Sequence, residues 1–537
     1  MQYASRRHLA ALVAALALLS GCGRGGTAAP ASPTPTRSAD PTLVQTMSGA
    51  VRGAFAADHL LFAGIPYAAP PVGPLRWQPP AAPLPWQGVR DASKFGLRCV
   101  QDTRQDPDYG LSTSEDCLTL NVWTPNRPAT AQRPVMVWIH GGAFVNGSGD
   151  IYDARWLADR GDIVVVTFNY RLGALGFLAH PALAPGAQAG NYGLADQQAA
   201  LRWVHDNIAN FGGDPGKVTI AGESAGAMSV CDHLVSPASA SLFRAAIIQS
   251  GPCQAQADVP TAQRVSLDYA ASVGCGDQHT AADCLRALPV SKLDRPPWYY
   301  HIAADGLTGP VTGTPLIPID PMTAAAQRRA AKVPVLIGTT HDEFTLFVAS
   351  QYLRLGREPD YPAALNDTFG PIAAQIAQRY PVSRYGGDAA LAYSAAVTDG
   401  VFACSTDRVA GSLTQAAPVY GYEFNDRNAP APAPLRSMPF PVGASHSLEL
   451  RYLFDVGGAP PLDPAQKRLS DEMITYWARF VTTGAPQVDG QPPWPALGRN
   501  TADGPRMSLQ TPEVHTFTDF DDAHQCAFWA TVPLQSS

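Results

Sequence analysis

Six short and almost uncharged apolar runs constrain this chain more than any other feature of its sequence. Strands buried on both faces of a parallel sheet are continuously apolar, whereas half-exposed strands alternate. Segments with helical periodicity lie between the runs, so the pattern predicts an α/β fold with a large, mostly parallel sheet flanked by helices. The runs are VMVWI from Val135, IVVVTF from Ile163, VTIA from Val218, AAIIQ from Ala245, VPVLIG from Val333 and VYGYEF from Val419.

The loops that follow these runs are where functional residues are expected, because ligands of such sheets bind beyond the carboxyl ends of the strands. The run VTIA leads into GESAG, residues 222–226, which places Ser224 between two glycines. A helix is expected from Ala225 until just before Pro237. Small flanking residues let a strand and a helix approach closely while the apex side chain stays accessible, which is the nucleophile-elbow geometry. A glycine-rich turn without catalytic function fits these five residues equally well, so a nucleophile here needs partners elsewhere.

Two further loops carry candidate partners. HGGAF, residues 140–144, follows VMVWI, and its glycines let backbone N–H groups come close to a bound group, as in an oxyanion hole. A plain turn is the alternative. TTHDEF, residues 339–344, follows VPVLIG and contains Asp342 and Glu343. Such a pair is usually solvated surface, but after a core strand one carboxylate could orient a histidine.

The histidine should follow the acid in the chain, as it does in α/β-hydrolases. Beyond Glu343 the candidates are His446, His515 and His524. Position favours His446, which lies in a loop of small residues, GASHSLEL. The other two lie in the C-terminal tail.

Taken together, these motifs resemble the type-B carboxylesterase family, which includes cholinesterases and bacterial p-nitrobenzyl esterases. The resemblance runs from about residue 44 to about residue 530. Its remaining segments are FAGIPYAAPPVGPLRWQPP from Phe62, SEDCLTLNVWTP from Ser114, FNYRLGALGFL from Phe168, GNYGLADQQAALRWVHDNIANFGGDPGK from Gly190 and HQCAFW from His524.

The resemblance implies a role for each candidate. Ser224 matches the nucleophile, Glu343 the acid and His446 the base, which makes Asp342 the weaker choice for the acid. The oxyanion hole would be formed by the backbone N–H groups of Gly142, Ala143 and Ala225. The family counterpart of Glu223 lines the substrate pocket, so Glu223 is expected to favour cationic groups or to tune His446; a structural carboxylate is the alternative. Phe144 is a second candidate for the pocket. No metal and no organic cofactor is implied.

The chain departs from the family pattern at four places without touching the triad. One is Thr340, which replaces a common asparagine. Ala143 replaces the third glycine of the oxyanion loop, which a backbone donor tolerates. Phe344 replaces the usual glycine after the acid. Ser445 and Ser447 flank His446, where one glycine is common.

The nine cysteines indicate disulfides rather than a metal site. No C-x-x-C or H-x-x-x-H spacing suggests metal ligation. Apart from Cys22, the cysteines are even in number, and the resemblance pairs six of them: Cys99 with Cys117, Cys275 with Cys284, and Cys404 with Cys526. Cys231 and Cys253 remain, as a fourth bridge or as two free thiols.

The N-terminus predicts export. Arg6 and Arg7 precede an apolar segment, residues 9–19, which is too short to span a membrane as a mature helix. The segment ends in LSGC, which resembles the lipoprotein processing box and makes Cys22 the expected lipidation site. Cleavage without lipid is the alternative. The predicted organisation is a signal over residues 1–21, a Gly/Pro/Ser/Thr-rich tether over 22–43 and one catalytic domain over 44–535. The expected location is the outer face of a bacterial membrane, or the medium if Cys22 is not lipidated.

The sequence therefore predicts a serine hydrolase that cleaves small-molecule carboxylic esters through an acyl-enzyme. Its alternatives are a lipase, a thioesterase, or a cholinesterase-like binding protein without activity. A net charge of −7 and the lack of a basic run argue against a nucleic-acid partner. Nothing in the sequence indicates an oligomeric state.

Overall fold

The computed structural model describes residues 40–102, 113–183, 190–302 and 305–532. The predicted export signal, Cys22 and all but the last residues of the predicted tether lie outside these ranges. The chain from Asp40 onward makes one contact unit. Its first strand begins at Leu43, one residue before the expected start of the catalytic domain.

The described residues form strands and helices in frequent alternation, and we number each kind in chain order. The strands are β1 Leu43–Thr46, β2 Gly49–Phe55, β3 His59–Pro66, β4 Val89–Ala92, β5 Arg98–Cys99, β6 Thr113–Ser114, β7 Thr119–Pro125, β8 Arg133–Ile139, β9 Val164–Phe168, β10 Gly213–Glu223, β11 Ala245–Gln249, β12 Ala257–Asp258, β13 Tyr300–Ile302, β14 Asp305–Leu307, β15 Val311–Thr312, β16 Val335–Thr340, β17 Val419–Phe424, β18 Arg506–Leu509 and β19 His515–Phe517. The helices are α1 Arg155–Gly161, α2 Gly173–Phe177, α3 Tyr192–Asn207, α4 Ala225–Val235, α5 Val259–Ser272, α6 Ala281–Ala287, α7 Pro321–Ala326, α8 Thr345–Leu355, α9 Tyr361–Phe369, α10 Ala373–Arg379, α11 Ala389–Val397, α12 Cys404–Leu413, α13 Ala433–Arg436, α14 Pro464–Thr483, α15 Phe520–Ala523 and α16 Cys526–Trp529.

Thirteen of the described strands form the main sheet, in the order β1-β2-β3-β7-β9-β8-β10-β11-β16-β17-β18-β19, with β4 beside β2. The six apolar runs form six adjacent parallel strands at its centre, from β9 to β17. Antiparallel pairs occur towards the two ends, for example β7 with β9 and β18 with β19. The predicted fold, a large and mostly parallel sheet flanked by helices, is confirmed.

The central strands are apolar throughout because both of their faces are covered. In β8, Val135, Val137 and Ile139 belong to one apolar cluster. Met136 and Trp138 alternate with them and belong to another cluster. Each face of the sheet therefore packs against its own layer of helices and loops, and the carboxyl ends of the parallel strands open at one edge.

Between β11 and β16 the chain leaves the main sheet for residues 250–334. Its described strands there pair only with one another, β12 with β15 and β13 with β14. The excursion starts and ends at neighbouring strands, because β11 and β16 pair directly and in parallel.

Four disulfides join Cys99 to Cys117, Cys231 to Cys253, Cys275 to Cys284, and Cys404 to Cys526. These are the three pairs that the resemblance implied and the fourth bridge between the two remaining cysteines. Disulfides persist in oxidising compartments, so this set is typical of a protein that works outside the cytoplasm. Among the described helices, none combines the length and the apolar character that a membrane span requires.

Candidate functional site

Ser224 stands at the turn between β10 and α4 in a backbone conformation that only the surrounding structure can hold. Its φ is 56° and its ψ is −125°, a region that costs a non-glycine residue about 1–3 kcal/mol. Its N–H donates to the carbonyl of Gln249 at 2.9 Å, and its carbonyl accepts from Met228 at 3.0 Å. Within residues 218–236, all of which are described, Ser224 alone is not buried. The turn therefore presents this one side chain.

The two glycines of GESAG are required because backbone packs directly against backbone here. A Cβ at Gly222 would lie 2.5 Å from the carbonyl carbon and oxygen of Gly226. A Cβ at Gly226 would lie 1.9 Å from the carbonyl oxygen of Ile139, at the end of β8. Helix α4 is thus held against β10 and β8 at once.

The loop after β8 lies against this turn. A Cβ at Gly141 would lie 3.0 Å from the Cβ of Ser224. Gly142, Ala143 and Phe144 then have φ values of 105°, 52° and 60°, three successive residues in the left-handed half of backbone space. No described residue accepts a hydrogen bond from the N–H of Gly142, Ala143 or Ala225. These are the three groups that the family resemblance implies as donors of the oxyanion hole.

Phe144 does not face solvent in this structure. Its side chain is completely buried, and its ring centroid lies 5.0 Å from that of Phe177. Its place in a substrate pocket stays a prediction.

His446 and Glu343 form a buried pair. His446 Nδ1 donates to Glu343 Oε2 at 2.5 Å. Glu343 follows β16, and its second oxygen accepts from the N–H of Thr340 at 2.8 Å, which fixes the carboxylate. With a carboxylate on Nδ1, the neutral ring carries its proton there and leaves Nε2 as the basic atom.

Asp342 faces elsewhere, although it precedes Glu343 directly. One of its oxygens accepts from Arg427 and the other from the N–H of Ala444, both at 2.9 Å. The bond from Ala444 holds the loop that carries His446 against the loop that carries Glu343. Of the two candidate acids, only Glu343 contacts the ring.

Glu223 lies on the other side of the ring. Its Oε1 is 3.1 Å from His446 Nε2, but Nε2 makes no well-aligned hydrogen bond with any described residue. The same oxygen accepts from the hydroxyl of Ser447 at 2.6 Å. Ser447 has a φ of 69°, a backbone conformation that favours glycine.

The electrostatics of the site are those of one imidazole among several buried carboxyls. Burial lowers the pKa of His446, but the carboxylates of Glu223 and Glu343 outweigh burial and raise that pKa to about 9. Burial raises the pKa of Glu223. The site therefore stabilises a positive charge on the ring, which is the charge that a general base acquires.

A third buried carboxyl, Glu449, was missed in the sequence. Burial, together with the carboxylates of Glu223 and Glu343, raises its pKa to about 8. Its Oε1 accepts from Gln249 at 3.3 Å, and Gln249 in turn accepts from Trp477 at 2.9 Å. The available signal was an acidic residue inside the apolar segment SLEL, three positions after His446.

The geometry agrees with comparisons to known proteins. The family model described as the carboxylesterase family matches residues 40–529. The chain is 35% identical to the fumonisin B1 esterase of Sphingopyxis macrogoltabida, over 88% of this chain and 87% of that protein. It is also 35% identical to the para-nitrobenzyl esterase of Bacillus subtilis (strain 168), over 86% of this chain and 93% of that protein.

Solved structures give the same result. A thermophilic PNB esterase superposes with a TM-score of 0.77 at 31% identity, covering 90% of this chain and 99% of that one. A second PNB esterase superposes with a TM-score of 0.76 at 32% identity, with the same coverage. Fold, family model and relatives agree: the chain belongs to the carboxylesterase family of the α/β-hydrolase superfamily, and it is a carboxylic ester hydrolase.

Proposed function

We propose that Ser224, His446 and Glu343 are the catalytic triad of this esterase. The observation that supports the proposal is the hydrogen bonding of the two ring nitrogens of His446. Its Nδ1 is bonded to a buried carboxylate, while its Nε2 has no aligned hydrogen-bond partner among the described residues and is the ring atom open to a proton. Ser224 is the one accessible side chain of the adjoining turn.

In the first half-reaction, Ser224 Oγ attacks the carbonyl carbon of the ester, and its proton passes to His446 Nε2. The C–O bond to the alcohol then breaks, and the proton moves from Nε2 to the departing oxygen. In the second half-reaction, water attacks the acyl-enzyme through the same histidine and releases the carboxylic acid. Glu343 keeps the ring in the required tautomer and stabilises its cation.

The oxyanion that forms in each half-reaction is bound by the N–H groups of Gly142, Ala143 and Ala225. The support is that these groups have no acceptor among the described residues and that their loop abuts Ser224. Losing one such donor typically costs 10²–10³-fold in turnover. The strained conformations at Ala143 and Phe144 are therefore part of what keeps the donors aimed.

The test is hydrolysis of p-nitrophenyl esters, from acetate to palmitate, by the wild type and by Ser224→Ala. We expect the substitution to reduce turnover to the background rate while the circular dichroism spectrum stays that of the wild type. The chain-length profile of the wild type separates an esterase from a lipase. A folded Ser224→Ala protein with undiminished hydrolysis would contradict the assignment.

The substrates proposed for this chain are small esters of the kind named for its relatives, an activated benzyl or phenyl ester among them. Glu223 lies close enough to His446 Nε2 to act on the reaction centre itself. We assign it to tuning the base rather than to selecting cationic substrates.

We also propose that the mature protein is a lipoprotein anchored through Cys22, with residues 22–43 as a tether to a single catalytic domain. The support is the basic start, the apolar segment and LSGC in the sequence. In the native host, Cys22→Ser should move the protein from the membrane fraction to the soluble fraction without changing its specific activity. An unchanged membrane fraction would exclude the anchor.

A further inference from the structure

A second group of titratable side chains lies outside the proposed catalytic centre. His341 directly follows β16, Glu423 lies in β17 and His524 directly follows α15. The two histidines meet on one carboxylate oxygen: Glu423 Oε1 is 3.0 Å from His341 Nδ1 and 2.6 Å from His524 Nε2. One ligand-type atom from each residue lies within 4.8 Å of the others.

The groups behind these three side chains hold them in orientation. His524 Nδ1 donates to Asp399 Oδ1 at 2.6 Å, and Tyr380 donates to the other oxygen of Asp399 at 2.7 Å. Asn425 donates to Glu423 Oε2 at 3.0 Å. A carboxylate on the far nitrogen of a histidine is the arrangement that orients histidine ligands in metal sites.

The cluster is closed on one side and open on the other. The side chains of Glu423 and His524 are 4% and 3% exposed, whereas that of His341 is 30% exposed. An ion could therefore enter past His341 and keep a water on that side. Two imidazoles and one carboxylate are a donor set that Zn²⁺ accepts at roughly 2.0–2.2 Å.

We propose that His341, Glu423 and His524 bind a divalent transition-metal ion of the Zn²⁺ class. His341 Nδ1, Glu423 Oε1 and His524 Nε2 are the ligands, and water completes the coordination. The ion takes the place of the hydrogens that His341 Nδ1 and His524 Nε2 now direct at Glu423 Oε1. His524 releases its Nε2 proton, and neutral His341 shifts its proton from Nδ1 to Nε2. None of the three ligands belongs to the proposed triad. Because His341 stands two residues before Glu343, the ion would join the loop of the proposed acid to the C-terminal segment.

The spacing of the ligands explains why the sequence did not show this site. Metal motifs are recognised by ligands a few positions apart, whereas these three come from segments about 80 and 100 residues apart. Only the pairing of β16 with β17 and the return of the C-terminus bring them together.

The experiment is a titration of the full-length chain carrying Cys22→Ser, made without a histidine tag. That substitution removes Cys22, the one cysteine outside the four disulfides, because its free thiol would compete for zinc. Zn²⁺ binding is followed by calorimetry, and Co²⁺ binding by its visible absorption. We expect saturation at one equivalent, with the intense bands of a low-coordinate Co²⁺ site, and binding at least tenfold weaker in His341→Ala.

The matched control is His205→Ala, which removes an exposed histidine beside Asp206 and should leave the titration unchanged. A folded wild type that takes up no stoichiometric Zn²⁺, or a His341→Ala protein that binds as tightly as the wild type, would overturn the proposal. The weak absorption of octahedral Co²⁺ would also overturn the proposal. That measurement uses the wild type and needs no variant that might misfold. Repeating the titration in Ser224→Ala separates a failure here from a failure of the proposed triad.

Discussion

At His446, the charge of neighbouring carboxylates prevails over burial. Burial alone would favour the neutral ring, but Glu223 and Glu343 raise its pKa to about 9, above the ordinary value of 6.5. A raised pKa makes the ring a stronger base but leaves less of it unprotonated at neutral pH. In the proposed mechanism, the same carboxylates stabilise the cation that forms on His446 during catalysis and raise the pH at which this base becomes available.

This predicts the pH dependence of the wild type and of Glu223→Gln. The base acts only when neutral, so kcat/KM should rise with pH through the pKa of His446, with a midpoint well above 6.5. Glu223→Gln removes a negative charge, lowers that pKa and should move the midpoint to lower pH by about 1 unit or more. The measurement is kcat/KM for a p-nitrophenyl ester between pH 5 and pH 10, on roughly half-unit steps.

The glutamine can still accept the hydrogen bond from Ser447, so packing is largely preserved. Glu358→Gln, at an exposed position, is the control and should leave the midpoint where it is. A midpoint that does not move in Glu223→Gln would show that Glu223 does not set the pKa of the base.

The two adjacent acids provide a second prediction. Glu343→Gln places a neutral amide beside His446 Nδ1. The ring then loses the anion that holds it in the required tautomer. Turnover should fall by about 10³–10⁴-fold, as when the corresponding acid of other triads is neutralised. Asp342→Asn keeps the shape of a residue that faces Arg427 and Ala444, and it should lose little activity.

The measurement is kcat for both variants at a pH where the wild type is fully active. Equal losses in the two would contradict the assignment of Glu343 as the acid.

At the scale of elements, the site depends on three backbones that touch: the end of β8, the end of β10 and the first turn of α4. Gly226→Ala should separate them, because its Cβ would meet the carbonyl oxygen of Ile139 at 1.9 Å. We expect the free energy of unfolding to fall by about 3 kcal/mol. We expect kcat to fall by a larger fraction than the free energy of unfolding does. Denaturant unfolding and kcat measure the two effects.

The control is Gly498→Ala, at an exposed glycine whose added Cβ would meet nothing closer than 3.7 Å. Its stability should stay within about 0.5 kcal/mol of the wild type. A Gly226→Ala protein of wild-type stability would mean that α4 can move away from β8 at little cost.

How much of these elements can be predicted depends on how they are buried. The six central strands were predicted because both of their faces are covered, and their sequences are therefore apolar throughout. The outer strands were not predicted: β4 is VRDA and β19 is HTF, which carry polar residues because they lie near the edge of the sheet.

The candidate site follows the same logic. Ser224, Glu343 and His446 could be selected because each stands in a short motif next to a strand or an apolar segment. Glu449 had only the weak signal of an acid inside an apolar segment, and the three residues of the cluster, His341, Glu423 and His524, had none. Their significance arises from contacts between segments that are distant in sequence, and no local pattern encodes such contacts.

At the scale of the whole molecule, the disulfides differ most in the length of chain that they close. Cys404 and Cys526 are 122 residues apart and tie α12 to α16, whereas Cys275 and Cys284 are 9 residues apart. On the chain-entropy account, the long loop contributes about 5 kcal/mol and the short one about 2.5 kcal/mol.

Removing each pair by double Cys→Ala substitution should therefore destabilise the protein unequally, with the Cys404–Cys526 pair costing more. Urea unfolding of the two double variants beside the wild type checks the order. If removing the short loop proves as costly as removing the long one, native-state packing rather than chain entropy governs these bridges.

The excursion of residues 250–334 gives the molecule a modular character. The chain leaves the sheet at β11 and returns at the adjacent β16, so its two ends are fixed by a pairing that does not depend on what lies between them. We expect that a homologous segment from a relative can be grafted between these two strands with the β11–β16 pairing kept. Besides the disulfide from Cys253 to Cys231, the graft has to reproduce bonds that the excursion makes with the rest of the chain, such as those of Asn191 with Val311 and of Tyr299 with Phe177. The esterase thus offers its own recombination boundary, at which chimeras can vary one part of the molecule and inherit the rest.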